Sequence, residues 1–416
     1  MSPTPRAALL VAALAVAALA LPVVVTAGAA LALAAAVLVD ALFARNAPQV
    51  IREAPEVLAR GVPAPFRISP TEPRAGSIRI RQPLPPDLVL EPSAEAVGEL
   101  RARLVARRRG RHELPAPATR STGPLGLGAW RHRPGEAAEV LVYPDLPAAR
   151  RLAADVRKGR FRDDGLRRLG PLGLGTEFES VREYSPDDDV RQVNWRATAR
   201  LGRPMSNQYR IERDRDVICV VDCGRLMAAP FADRTRLDAA LDAVVAVAAV
   251  ADVLGDRSGG IAFDAEVRRS LPPRRAGAID LVHAFYDLEP RPVESDYGLA
   301  FQQVGGAKRA LVLVFTDLLE ESAARPLVDA LPVLAKRHAV AVASAADSDL
   351  EAMIRTDPSS AGDVYRAAIA LDVLDARERV AAELRGAGAI VIEADPKQLG
   401  AACVRAYLRA KSVARF

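Results

Sequence analysis

The C-terminal half of the sequence predicts an α/β domain built on a doubly wound, mostly parallel sheet. A transmembrane helical hairpin and a small β-sandwich-like domain are predicted ahead of it. Three observations carry this. From Asp216 onward, unbroken apolar runs such as Val217–Val221 and Ala310–Phe315 alternate with helix-length segments, the pattern of strands buried on both faces. Residues 7–43 are almost continuously apolar. Between Val50 and Pro144, short β-like runs are separated by proline-rich turns. The expected divisions are a hairpin over 1–45, a β-sandwich-like domain over 46–145, a charged linker region over 146–215 and the α/β domain over 216–416.

The 416 residues are half apolar and carry a formal charge of +5. That charge is modest for the length, and no basic stripe is interleaved with stacking aromatics, so nucleic acid is not an expected partner. Three scattered cysteines, Cys219, Cys223 and Cys403, offer no disulfide framework and fit a reducing compartment.

The apolar N-terminal stretch is expected to form two helices, Ala7–Val25 and Ala29–Phe43, turning around Pro22–Gly28. The second is marginal for the ~17–20 residues a bilayer requires. A cleaved signal peptide or one long span is the competing reading. Arg6 precedes the first helix, Arg45, Arg52 and Arg60 follow the second, and the turn carries no charge. The positive-inside rule then places both ends and all soluble domains in the cytoplasm, against the plasma membrane of a bacterium.

In the β region the runs Ser77–Arg81, Asp87–Leu90, Glu99–Ala106 and Glu139–Tyr143 are read as strands. The hexapeptide Gly-Pro-Leu-Gly-Leu-Gly occurs at 123–128 and again at 170–175. Neither copy has the Lys of a phosphate loop, so both are read as turns. A short amphipathic helix is expected after Pro144. In the α/β region, strands are expected at Val217–Val221, Gly260–Phe263, Ala310–Phe315, His338–Ser344 and Ala389–Ile392. Helices are expected at Thr235–Val253, Ala278–Tyr286, Tyr297–Val304, Ala323–Arg337 and Pro396–Lys411.

Ligands of open α/β sheets sit beyond the carboxyl ends of the strands. Asp222, Ser295, Asp296 and Asp317 fall there, a layout that resembles the metal-ion-dependent adhesion site of von Willebrand A domains, and that resemblance makes them the candidate metal set. No His-Glu-x-x-His and no Gly-x-Ser-x-Gly occurs, and no two of the four histidines stand at metal-ligand spacing. Cys223 lies in a strand-end loop with no histidine evidently paired to it.

A charged string separates the β region from the first α/β strand. It contains Glu177-Phe178, Arg182-Glu183-Tyr184, Asp188, Arg191, Trp195 and Thr198-Ala199-Arg200. This string resembles the signature of the DUF58 family, in which it precedes a von Willebrand A-like domain. The closing Tyr407-Leu408 and Lys411 extend the resemblance. Asp187 stands where the family usually has glycine. The string is read either as an interaction surface or as a structural hairpin. In the structural reading Arg182, Asp188, Arg191 and Arg200 pair internally, and Trp195 and Phe178 fill a core.

The von Willebrand A resemblance implies a metal loop of the form Asp-x-Ser-x-Ser. Here Gly224 and Leu226 replace both serines, and Arg225 adds a repelling charge. A degenerate pocket is therefore expected, with no cofactor or at most weak Mg²⁺. Restoring both hydroxyls, Gly224→Ser with Leu226→Ser, is expected to raise metal affinity if the pocket geometry survives. Family resemblance further implies a MoxR-type AAA+ ATPase as partner, hence a membrane-anchored, non-enzymatic adaptor. The alternatives are a metal-dependent hydrolase using the Asp222/Asp317 pocket and a Mg²⁺-dependent adhesive domain.

Overall fold

The computed structural model describes residues 2–72, 76–161, 177–185, 188, 190–210, 214–231, 234–304, 308–318 and 321–412. The second Gly-Pro-Leu-Gly-Leu-Gly copy and Asp187 lie outside these residues. The chain divides into two compact units, Met1–Tyr143 and Pro144–Phe416.

In the first unit the apolar stretch forms α1 (Pro5–Ala17) and α2 (Val23–Phe43). The break therefore falls at Ala18–Pro22, earlier than the expected Pro22–Gly28. Pro22 lacks an N–H, so it suits a helix start, where that donor has no partner anyway. Gly28 sits inside the apolar α2 without ending it. Of the two, α2 alone is long and apolar enough to cross a bilayer, about 30 Å at 1.5 Å per residue.

The rest of the unit is β structure. One sheet has five strands: β1 (Ser2–Pro3), β2 (Ile78–Arg81), β3 (Glu95–Val97), β4 (Ala118–Thr122) and β5 (Gly128–His132), in the order β1-β5-β4-β2-β3. A four-stranded and a three-stranded sheet accompany it, and Ile80, Ile68, Leu104 and Leu114 meet in a shared core.

Both ends of the helical pair are tied to this sheet. Ser2 and Pro3 pair with Ala129 and Gly128. Asp40, in the last turn of α2 and 1% exposed, accepts hydrogen bonds from the backbone N–H groups of Leu125 (2.8 Å), Leu127 (2.6 Å) and Gly128 (2.8 Å). The first Gly-Pro-Leu-Gly-Leu-Gly copy is thus a turn, as expected. Its converging N–H groups form an anion-binding nest filled by the protein's own carboxylate.

The second unit opens with α3 (Leu146–Arg157), capped by Asp145. The signature region follows as β6 (Glu177–Glu183) paired antiparallel with β7 (Met205–Arg210), with α4 (Trp195–Leu201) between them. Then comes a six-stranded sheet of β8 (Asp216–Asp222), β9 (Arg257–Phe263), β10 (Val267–Arg275), β11 (Ala310–Phe315), β12 (Ala339–Ala345) and β13 (Ile390–Ala394). Its order is β10-β9-β8-β11-β12-β13, with every neighbouring pair parallel except β9 and β10. The central strands β8 and β11 are buried along their whole length, which is why their sequences read as unbroken apolar runs.

Helix α5 (Arg236–Leu254) follows β8. Thr235 and Asp238 close a capping box at its start, and Gly255, at φ 76°, ends it. Next come α6 (Ala278–Phe285), α7 (Tyr297–Val304), α8 (Glu321–Ala335), α9 (Ser348–Arg355), α10 (Ala361–Gly386) and α11 (Leu399–Ser412). The sequence reading passed over α9, α10 and β10. In α10 no apolar stripe repeats at the helical period, although Ser360 caps it and Asp363 strengthens its first turn. β10 carries Pro272 and Pro273 and is mostly exposed. It is an edge strand, where proline is tolerated.

Candidate functional site

At the carboxyl end of β8 the Asp222 carboxylate is 1% exposed and receives four donors. Oδ1 accepts from Gly224 N (2.7 Å) and Ser295 Oγ (2.5 Å). Oδ2 accepts from Tyr297 Oη (2.9 Å) and Thr316 Oγ1 (2.8 Å). A carboxylate has about four acceptor directions, so the chain itself satisfies Asp222. Burial, then the nearby Asp222 charge, pushes the Tyr297 phenol well up, which keeps it a neutral donor. Ser295, Tyr297, Arg225, Leu226 and Glu294 line a pocket of about 240 Å³ beside Asp222. Arg225 and Glu294 pair across it. Asp296 instead accepts from Leu299 N (3.0 Å) and caps α7.

Gly224 fixes this geometry. A Cβ there would lie 2.2 Å from Ser295 Oγ and 2.8 Å from Val293 O. A side chain at 224 therefore forces Ser295 or the Val293 carbonyl to move, so the geometry on which a restored hydroxyl depends is not kept. The Ser295 hydroxyl already fills that space.

Asp317, beyond the end of β11, is equally committed. Arg236, at the start of α5 and itself buried, approaches it with Nη1 3.1 Å from Oδ1. Arg236 Nε lies 3.0 Å from Oδ2, an ion contact whose angle falls short of a hydrogen bond. Arg236 also reaches Ala345 O (3.0 Å) and Asp347 Oδ2 (3.2 Å). Arg377 of α10 stands 3.9 Å from Asp317 and donates to Ser344 Oγ and Ala345 O. Burial pushes the Asp317 carboxyl up and the Arg236 guanidinium down, while the opposite charges pull each back.

A Mg²⁺ ion needs about six oxygen ligands with free lone pairs. The residues present do not fit it, because Asp222 is saturated by donors and Asp317 faces two guanidinium groups. Among the described residues no cluster of three His, Cys, Asp or Glu is placed to hold a metal. The thiol of Cys223 is buried, and burial pushes Cys219 up to about 12.

The signature region has different chemistry. Asp188 receives the Ser185 N–H (2.8 Å) and the Arg182 guanidinium (2.5 Å), which together hold its carboxyl below the ordinary range. Tyr184 Oη donates to Asp188 O (3.3 Å). Asn194 caps α4 through Ala197 N (2.9 Å), and Thr198 Oγ1 accepts from Met205 N (3.0 Å). Residues 180–387, half of the chain, match a family model described as "Protein of unknown function DUF58". The chain belongs to the DUF58 family. Uncharacterized proteins of Mycobacterium tuberculosis and Mycobacterium bovis are 27% identical to it over 271 residues, covering 59% of this chain and 83% of theirs.

Two solved structures also share limited similarity. The sulfur carrier protein SoxY from Chlorobium limicola f thiosulfatophilum is 19% identical and covers 26% of this chain and 97% of its own, at a TM-score of 0.14. A superoxide reductase from Ignicoccus hospitalis is 13% identical and covers 26% and 89%, also at 0.14. At those scores neither bears on fold or function.

Within the DUF58 signature the structure confirms one expected pairing, Arg182 with Asp188, and corrects another expectation. Trp195 does not fill a core: it is 71% exposed, as the first residue of α4. The backbone of α4 is held by Asn194 and Thr198 rather than by the indole. Arg200 is exposed and makes no pair with the other signature residues among those described. The side chains of Glu177, Phe178 and Arg191 lie outside the described part.

The closing residues of the DUF58 resemblance are structural. The Tyr407 hydroxyl and Lys411 Nζ (2.5 Å) both meet the fully buried Asp256 carboxylate, which locks α11 onto the turn after α5. The sequence reading missed Arg236, Tyr297, Thr316, Asp256 and Asp40. Arg236 carried no local signal, because an arginine at a helix start is ordinarily solvated and only its burial beside Asp317 sets it apart.

Proposed function

We propose that this protein is a membrane-anchored, non-enzymatic adaptor that docks a partner through its signature element. In the family reading the partner is a MoxR-type AAA+ ATPase. The observation carrying the proposal is Trp195, whose indole is 71% exposed on a helix whose backbone is already tied down. Val190 and Leu201, at either side of it in sequence, are also exposed. A large aromatic side chain held rigidly at the surface is the usual anchor of an interface.

The saturated Asp222 and the paired Asp317 support an adaptor over the metal-dependent hydrolase. Among the described residues they leave that pocket no free acid or base and no metal ligand set. The strand order, with its one antiparallel edge strand, supports reading the domain as a doubly wound, von Willebrand A-like one. The apolar α2, with basic residues beyond it, supports anchoring in a bacterial plasma membrane with cytoplasmic domains. The ATPase itself enters by resemblance alone.

The test is binding of the full-length protein, in neutral detergent, to a purified MoxR-type ATPase in both nucleotide states. Trp195→Ala is expected to weaken binding by at least about tenfold while leaving the melting temperature unchanged. Equal binding by wild type and variant would remove the docking reading. No binding at all, together with phosphoester hydrolysis lost in Asp222→Ala, would establish the hydrolase instead.

A further inference from the structure

The five-stranded sheet of the first unit carries a charge arrangement that folding does not explain. Its register sets Arg120 of β4 directly opposite Arg79 of β2 on one side and Arg131 of β5 on the other. Three guanidinium groups thus stand in one row across three strands. Directly opposed like charges weaken a sheet. Side chains alternate along a strand, so Arg81 falls on the same face as this row, and Arg133 follows directly after the last residue of β5.

These five arginines line a cleft of about 770 Å³, in which Glu95 is the one acid among the described lining residues. Glu95 pairs with Arg79 at 3.1 Å. The Arg120 Nε is buried without a hydrogen-bond partner. The cleft therefore holds an excess of cationic charge.

The same sheet receives the apolar helices. Strand β5 begins at Gly128, whose N–H binds Asp40 of α2, and Gly128 and Ala129 pair with the residues leading into α1. Arg131 lies three residues further on, about 10 Å along the strand. The polar layer of a bilayer extends about 5–8 Å beyond its hydrocarbon, and charges act over about 8–10 Å in physiological salt. A guanidinium on a flexible stem spans the remainder.

We propose that this cleft binds the phosphate of anionic phospholipid headgroups, with Arg79, Arg120 and Arg131 as the central donors. The proposal rests on the membrane-anchor reading and not on the docking role of Trp195. A phosphate diester accepts from several guanidinium groups at once, so it relieves the repulsion in the row. Single-stranded nucleic acid fits less well, because it needs aromatic platforms and no Phe, Tyr or Trp is among the described residues that line the cleft.

The experiment titrates the full-length protein, in neutral detergent, with short-chain phosphatidylglycerol, short-chain phosphatidylcholine, inorganic phosphate and a single-stranded oligonucleotide. Phosphatidylglycerol is expected to bind in a salt-sensitive way and phosphatidylcholine not to bind. Affinity should fall about fivefold in Arg120→Gln and about 25-fold in the double variant with Arg131→Gln. Arg120→Gln should melt no lower than wild type without lipid, because it removes a like charge, so loss of binding is not loss of fold. Equal binding of both lipids, or phosphatidylglycerol binding unmoved in the double variant, would overturn the proposal. So would inorganic phosphate binding as tightly as the lipid, which makes the cleft a free-phosphate site, or tighter binding of the oligonucleotide.

Discussion

Arg236→Met tests whether the strand-end acids are structural. Methionine keeps an unbranched apolar stem and removes the charge. The wild-type guanidinium contacts Asp317 through two atoms, at 3.0 and 3.1 Å, and also binds Asp347 and Ala345 O. Without it, Asp317 stays buried, with Arg377 at 3.9 Å as its remaining cation among the described residues. Breaking a buried pair costs about 3–5 kcal/mol, and the residual Arg377 contact favours the lower end. For a domain of this size each kcal/mol moves the midpoint about 2–4 °C, so the fall should be on the order of 10 °C. Replacing both members, Arg236→Met with Asp317→Leu, should recover much of that loss, because the stranded charge is gone. Near-UV circular dichroism of the full-length protein in neutral detergent reads both variants. A single variant melting within about 2 °C of wild type would refute the reasoning and leave Asp317 available for another role. Added Mg²⁺ should leave the wild-type midpoint unmoved.

Asp40→Ala removes the acceptor of three backbone N–H groups. At about 1.5–3 kcal/mol for a hydrogen bond to a charged group, it should free the Leu125–Gly128 turn to proteolysis, which a timed digest with mass spectrometry would detect. Gly224→Ser should destabilise, since its Cβ meets Ser295 Oγ at 2.2 Å, and should create no Mg²⁺ affinity by calorimetry. Burial raises the Asp252 carboxyl in the fold, against the donors Ala278 N and Gly277 N. A raised carboxyl contributes stability that is present below its unfolded value and is lost as pH rises through its folded value. Asp252→Asn should therefore melt higher than wild type at neutral pH and lose that advantage on acidification, read as midpoint against pH.

The identity of the strand-end acids was legible, but their chemistry was not. Periodicity placed Asp222 and Asp317 at strand ends because buried parallel strands write unbroken apolar runs. The donors that saturate Asp222 come from positions 224, 295, 297 and 316, and no local pattern marks residues that far apart as neighbours. The Arg236–Asp317 pair likewise spans 81 residues. The missed α10 shows a different limit. Its polar character hid it from a search for an apolar stripe, although Ser360 and Asp363 are a readable helix start. Trp195 shows a third: its type suggested a core, but caps at Asn194 and Thr198 fix the backbone and leave the indole outside.

By itself the sequence determined the apolar N-terminal stretch, the alternation of strands and helices, and the family signature. Each is a local property of residue order, written by backbone geometry and hydrophobic period. Only the tertiary structure decided what the charged groups do. It filled a glycine-rich nest with Asp40, matched Asp317 to Arg236, left Trp195 outside, and lined Arg79, Arg120 and Arg131 up in one row. The physical reason is that a charge takes its meaning from its nearest partner and its distance from water. Folding sets both through contacts between residues remote in sequence.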